Sequence, residues 1–134
     1  ADLVMARLPD YMGLPFEAMC RDWVRLASVA GVLPERVGRV GTWWNPDHQL
    51  DIVGLDEQGR APILGEAKWH TQPFTYQELE RYLGHVRALG TLPRPDTYHL
   101  LFSRSGFSDD VQRWSAMNNV RLLTPASMLA SFDA

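Results

Sequence analysis

Lysine is almost missing from this chain: twelve of its thirteen basic residues are arginine, and the single lysine is Lys68. A solvated surface accepts either cation, whereas a compact ammonium that must sit close to a phosphate or a water cannot be exchanged for a broad, planar guanidinium. Lys68 is therefore the first candidate for chemistry, against the plain alternative of a leftover surface charge. Cysteine is equally scarce. The lone Cys20 falls among apolar residues, which excludes an internal disulfide framework and reads as a small buried hydrophobe in an intracellular protein. No stretch approaches the roughly 20 consecutive apolar residues of a membrane span, and Ala1 to Arg7 lack the basic start and apolar centre of a signal peptide. A soluble, cytoplasmic protein with no membrane partner is expected. There is no P-loop and no Gly-x-Ser-x-Gly elbow, and Cys20 has no evident activating histidine, so acyl transfer is not expected. A start without Met, together with the missing P-loop, suggests a piece of a longer protein. Net positive charge is absent too. At −3 the chain is a poor nucleic-acid coat, since that binding draws on clustered Lys and Arg, but a local basic path or a carboxylate cluster holding a metal stays compatible with it.

What is present fits one domain over 1–134, with 46% hydrophobic residues supplying a core that needs no staples. Apolar spacing predicts a first helix from about Pro15 to Ala30, with Phe16, Met19, Cys20, Trp23, Leu26 and Val29 inward, Glu17 beside that face and Gly31 as the stop. Three β-rich runs follow, Val37 to Trp44, Leu50 to Leu55 and Pro62 to Trp69. They are separated by Asn45-Pro46-Asp47-His48 and Asp56-Glu57-Gln58-Gly59, which is the turn chemistry of an antiparallel meander. Thr75 and Glu78 form a capping box that opens a second helix, burying Tyr76, Leu79, Leu83, Val86 and Leu89, exposing Glu80, Arg81 and Arg87, and ending at Gly90. Tyr98 to Phe102 reads as a buried strand reached by a helical crossover, hence parallel to the third strand. Ser108, Asp109 and Asp110 start a third helix carrying Val111, Trp114 and Met117; Val120 to Leu123 is a last strand, and Thr124-Pro125 opens a final helix through about Phe132. The order predicts a three-layer α/β domain around a mixed sheet, an αβββαβ core followed by α-β-α.

Strand alternation places Glu66 and Lys68 on one side and Ala67 and Trp69 on the other. Asp51 stands near the start of the neighbouring antiparallel strand, where pairing brings it toward Glu66. Two carboxylates and one ammonium then share a sheet edge, a set suited to Mg²⁺ or Mn²⁺ with water and phosphate oxygens completing the shell. Other candidates are weaker. His48, His70, His85 and His99 are scattered, and of these His70 alone shares the face of Glu66 and Lys68. Of the adjacent Trp43 and Trp44, one should face the core and the other the surface or a base. Arg81, Arg87, Arg104 and Arg113 could line a phosphate path, or simply solvate helices.

The segments Gly13-Leu14-Pro15-Phe16-Glu17, Val40-Gly41-Thr42-Trp43-Trp44, Leu50-Asp51-Ile52-Val53 and Gly65-Glu66-Ala67-Lys68-Trp69 resemble the PD-(D/E)XK nuclease superfamily, with its restriction-endonuclease-like core. Within it they look most like the nuclease-like domain of unknown function at the C-terminus of prokaryotic, chiefly archaeal-type, ATPases. The resemblance covers roughly Gly13 to Gly90. It implies divalent-metal-dependent hydrolysis of phosphodiesters in nucleic acid, DNA ahead of RNA, by a domain attached to an ATPase in the same polypeptide. By the same resemblance Asp51 and Glu66 bind the metal, Lys68 positions the attacking water or stabilises phosphate charge, and Glu17 reaches the metal through water or orients a ligand. Gln49 departs from the acidic residue of many relatives, and the Gln77 and Tyr82 spacing departs from the exonuclease branches. The alternative is the same fold with its chemistry lost, kept as a binding or regulatory module.

Overall fold

The computed structural model describes residues 15–132; Gly13 and Leu14, which open the first motif segment, and Ala1 to Arg7 lie outside the described residues. The elements are α1 (Phe16–Ala30), β1 (Arg39–Trp44), β2 (Gln49–Leu55), β3 (Ala61–Lys68), α2 (Tyr76–Arg87), β4 (Pro93–Ser103), α3 (Asp109–Ala116), β5 (Val120–Leu123) and α4 (Pro125–Ala130). This is the expected order. The five strands form one mixed sheet in sequence order, antiparallel across β1, β2 and β3 and parallel across β3, β4 and β5.

Two apolar clusters make this a three-layer domain, because strand alternation gives each face of the sheet its own core. On one face Cys20, Trp23, Val24 and Ala27 of α1 and Met128 of α4 pack over Ile52, Ile63, Leu100 and Phe102. Leu79 and Tyr82 of α2 and Val111 of α3 cover Leu64 and Leu101 on the other. The Trp23 indole donates to the Met128 carbonyl at 3.0 Å, tying α1 to α4.

Local chemistry sets the boundaries. Gly31 closes α1 in the left-handed region at φ 74°, with its N–H directed to the Ala27 and Ser28 carbonyls. The Thr75 and Glu78 capping box forms with both reciprocal hydrogen bonds. Gly65 is required for another reason. A Cβ there would lie 2.3 Å from the Leu100 carbonyl oxygen, so only glycine allows β4 to approach the strand that carries Glu66 and Lys68.

Several faces differ from expectation. The buried stripe of α1 is rotated toward Val24, Ala27 and Ser28, leaving Val29 exposed and Met19 and Leu26 only partly covered. On α2 the fully buried residues are Leu79 and Tyr82, while Tyr76, Leu83 and Val86 are half-buried. Met117 lies just past α3 and is exposed, its inward place being taken by Ser115. α4 ends at Ala130, two residues before Phe132. In each case the faces of the packed layer, rather than helical spacing alone, decide which side is covered.

Candidate active site

The ladder between β1 and β2 is interrupted beside Asp51. Gly41 pairs with Val53 but Trp43 pairs with Leu50, so two steps on β1 answer three on β2 and the extra residue falls at Asp51 and Ile52. A bulge of this kind bends a strand and re-aims a side chain. It also reverses the alternation: Leu50 packs with the α2 layer, whereas Ile52 packs under α1. The regular pairing of β2 with β3 reaches Ile52 and Gly65. Beyond it, Asp51 Oδ2 accepts the Ala67 N–H at 3.0 Å, so a carboxylate takes the bond that a strand carbonyl would otherwise receive. Asp51 Oδ1 accepts from the Gln49 side-chain amide at 3.3 Å. The Asp51 carbonyl accepts from Arg21 of α1 at 2.9 Å, fixing the backbone as well.

Glu66 is buried, with Lys68 Nζ 3.8 Å from its Oε1. Burial pushes its carboxyl up to about 7 despite the opposing pull of Lys68, and the charges of Asp51 and Glu78 act in the same direction as burial. At 3.8 Å the ion pair is too long to offset desolvation. Glu17, in the first turn of α1, lines the same cleft as Asp51, Glu66 and Lys68, an open space of about 410 Å³ walled also by Gln49, Trp69, His70, Arg81 and His85. All four candidate residues are thus brought to one place. Burial first, and then the charges of Asp51 and Glu17, hold the Cys20 thiol far above its ordinary range, so this cysteine is an inert core residue.

Of the remaining candidates, His70 borders the cleft and approaches Glu78 at 3.8 Å. Trp43 packs on the core and Trp44 is exposed. Gln77 is exposed and Tyr82 is wholly buried, its hydroxyl 2.7 Å from His99 Nδ1, so this pair does not wall the cleft. Arg81 and His85 were not legible as a pair from sequence, although their i, i+4 spacing on the polar face of α2 was the available signal. His48, from the β1–β2 turn, meets His85 with Nδ1 atoms 2.8 Å apart.

Among the described residues no group of three or more His, Cys, Asp and Glu side chains is arranged to hold a metal ion. Asp51 and Glu66 nevertheless offer what a hard divalent cation takes from a protein, one or two carboxylates with room for water. Each carboxylate oxygen of Asp51 keeps acceptor capacity beyond its one hydrogen bond. No helix among the described residues is long and apolar enough to cross a membrane.

Comparison with known proteins adds a relative and a family. Uncharacterized protein MJECL04 of Methanocaldococcus jannaschii is 23% identical over 66 residues, a match that spans 49% of this chain and 15% of that protein. No solved structure matches. The model of the DUF234 family, described as archaeal and bacterial proteins of unknown function, matches residues 2–82, more than half of the chain and all three residues of the Asp51, Glu66 and Lys68 set, and the chain belongs to that family.

Proposed function

We propose that this domain is a divalent-metal-dependent phosphodiesterase of the PD-(D/E)XK type, hydrolysing nucleic acid, DNA ahead of RNA, as one part of a larger ATPase polypeptide. The observation that carries this reading is the meeting of Asp51, Glu66 and the only lysine of the chain in one open polar cleft. Mg²⁺ or Mn²⁺ bound there would supply Lewis-acid polarisation of the phosphate and a lowered pKa for water. Asp51 is held for that task by Ala67, and Glu66 by the strand that Gly65 lets pack against β4. The Lys68 ammonium, on the Glu66 side of the cleft, is placed to hold a water or a phosphate oxygen without itself being a ligand. Glu17 faces them from α1 and orients bound water; Arg81 and His85 offer donors from α2. Attachment to an ATPase follows the resemblance of the motif segments, and it agrees with how small a part of its archaeal relative the chain spans.

A catalytically silent module is the second reading, favoured by the absence of a three-ligand group among the described residues. Titration calorimetry with Mn²⁺ separates the two. The nuclease reading expects heat from the native chain and its loss in Asp51→Ala; equal, negligible heats from both proteins favour the silent module.

A further inference from the structure

Trp69 directly follows Lys68, and it is not absorbed by the carboxylate site. The residue is 53% exposed, an uncommon position for a tryptophan that a buried residue holds in place. Phe16, buried in the α1 core, meets it at a centroid distance of 4.8 Å, and the Arg104 guanidinium lies over it at 4.9 Å. Arg104 is anchored in turn, its N–H donating to the Lys68 carbonyl at 3.0 Å. Trp69 and Glu17 line the carboxylate cleft and also a second, mainly apolar pocket of about 380 Å³ completed by Pro15, Phe16 and Met19. The two spaces therefore share a wall.

We infer that Trp69, with Phe16, Met19 and Arg104, forms a stacking subsite for one unpaired base of a single-stranded nucleic acid whose neighbouring phosphate enters the carboxylate cleft. The inference rests on the proposed nuclease reading for what happens to that phosphate, but the stacking itself does not. An aromatic ring offers a π face to any base, and a guanidinium adds both a stacking plane and a charge complementary to the strand. A base within a duplex has both faces already stacked, so an aromatic pocket beside the cleft selects a strand end or an unpaired nucleotide. Because Trp69 and Glu17 line both spaces, a base in the pocket and a phosphate in the cleft can belong to one strand.

The test is fluorescence anisotropy at low salt, without metal, using labelled single-stranded DNA, RNA of the same sequence, and a blunt duplex, on native protein and on Trp69→Ala, Trp69→Phe and Arg104→Ala. Trp69→Ala should weaken single-strand binding roughly tenfold, by the usual size of one base–aromatic stack, with little change for the duplex. Trp69→Phe, which keeps a ring, should retain most of the affinity, and Arg104→Ala should fall between. A DNA and RNA response of equal size marks stacking without sugar selection; a difference shows which strand the subsite prefers, and either result supports it. Native protein that binds no single strand, Trp69→Ala that binds as native, or folded Trp69→Phe that fails as badly as Trp69→Ala overturns it. Metal-dependent cleavage by the same preparations is scored separately. Cleavage with no dependence on Trp69 removes the subsite and leaves the nuclease reading standing, whereas Trp69-dependent binding without cleavage does the reverse.

Discussion

Asp51 accepts the backbone N–H of Ala67 at 3.0 Å, and Ala67 is the residue between Glu66 and Lys68. One carboxylate is thereby tied to the strand end that carries the other two members of the set. The bond separates the structural role of Asp51 from its charge. Asp51→Asn retains a carbonyl acceptor for Ala67 and should melt within about 0.5 kcal/mol of native, whereas Asp51→Ala leaves the N–H unpaired and should cost about 1 kcal/mol or more. Mn²⁺ should raise the melting temperature of the native chain by mass action, and both variants should lose that rise. Thermal melts with and without the cation check this, and an Asn variant that keeps the full metal response would remove Asp51 from the site.

Glu66 gives the site a pH signature. Its folded pKa of about 7 lies above the ordinary 4.5, so between these values the native state holds a proton that the unfolded chain has released. The contribution of this group to stability is therefore present below pH 4.5, declines as pH rises, and is fully lost above 7. In metal-free protein Glu66→Gln should leave stability near pH 4.5 almost unchanged and raise it above pH 7, by at most on the order of 3 kcal/mol. Urea denaturation across that range measures it. Equal pH slopes for the two proteins would show that burial does not hold the proton on Glu66.

Gly65 tests the scaffold beneath the site. With the Leu100 oxygen 2.3 Å from where a Cβ would stand, Gly65→Ala must push β3 and β4 apart. The expected loss is about 2–3 kcal/mol or failure to fold, the range of overpacking in a tight core. A variant as stable as native by chemical denaturation would contradict the close approach.

Tyr82 and His99 test the other side of the sheet. Burial lowers the His99 imidazole to about 4, and the Tyr82 hydroxyl is its partner at 2.7 Å. Tyr82→Phe leaves Nδ1 without that partner and should cost about 1–2 kcal/mol at pH 7. Because the folded pKa of His99 is depressed, its contribution is present above pH 6.5 and is lost as pH falls toward 4. Denaturation of the native chain and of Tyr82→Phe at pH 7 should show that cost, and identical midpoints would mean that the hydroxyl bond adds nothing.

The element order was legible because short-range chemistry fixed it. Thr75 with Glu78, Gly31, and the Asp56 to Gly59 turn act within a few residues, and the structure places each where the sequence did. The same holds for the approach of Asp51 to Glu66, which needs only a meander and its turns. The bulge at Asp51 was not legible, since it comes from the register of β1 against β2 and neither Asp51 nor Ile52 is a glycine or proline that would announce it. Nor was the α2 wall of the cleft. Arg81 and His85 look like ordinary solvated helix residues until the crossover from β3 turns that face toward Glu66. Tyr82 was missed as a core residue because a hydroxyl is expected at the surface, whereas here His99 satisfies it. Trp69 faces the α1 layer through Phe16, as expected, and its half-exposure follows from β3 ending at Lys68, before it.

Lys68 carries the central claim, and metal-dependent nicking of plasmid and of single-stranded oligonucleotides by repurified native, Lys68→Met and Lys68→Arg proteins tests it most directly. If the ammonium steers a water toward the phosphate, Lys68→Met should lose cleavage by about 100-fold or more, the scale of a positioned proton-transfer or charge-stabilising group. It should keep its Mn²⁺ binding, since removing a cation beside Glu66 relieves repulsion of the metal. Lys68→Arg should fail as well, its planar fork filling the space of the water. Native-level nicking by the Met variant would contradict the account, and would leave Lys68 as no more than the 3.8 Å partner of the buried Glu66 carboxyl.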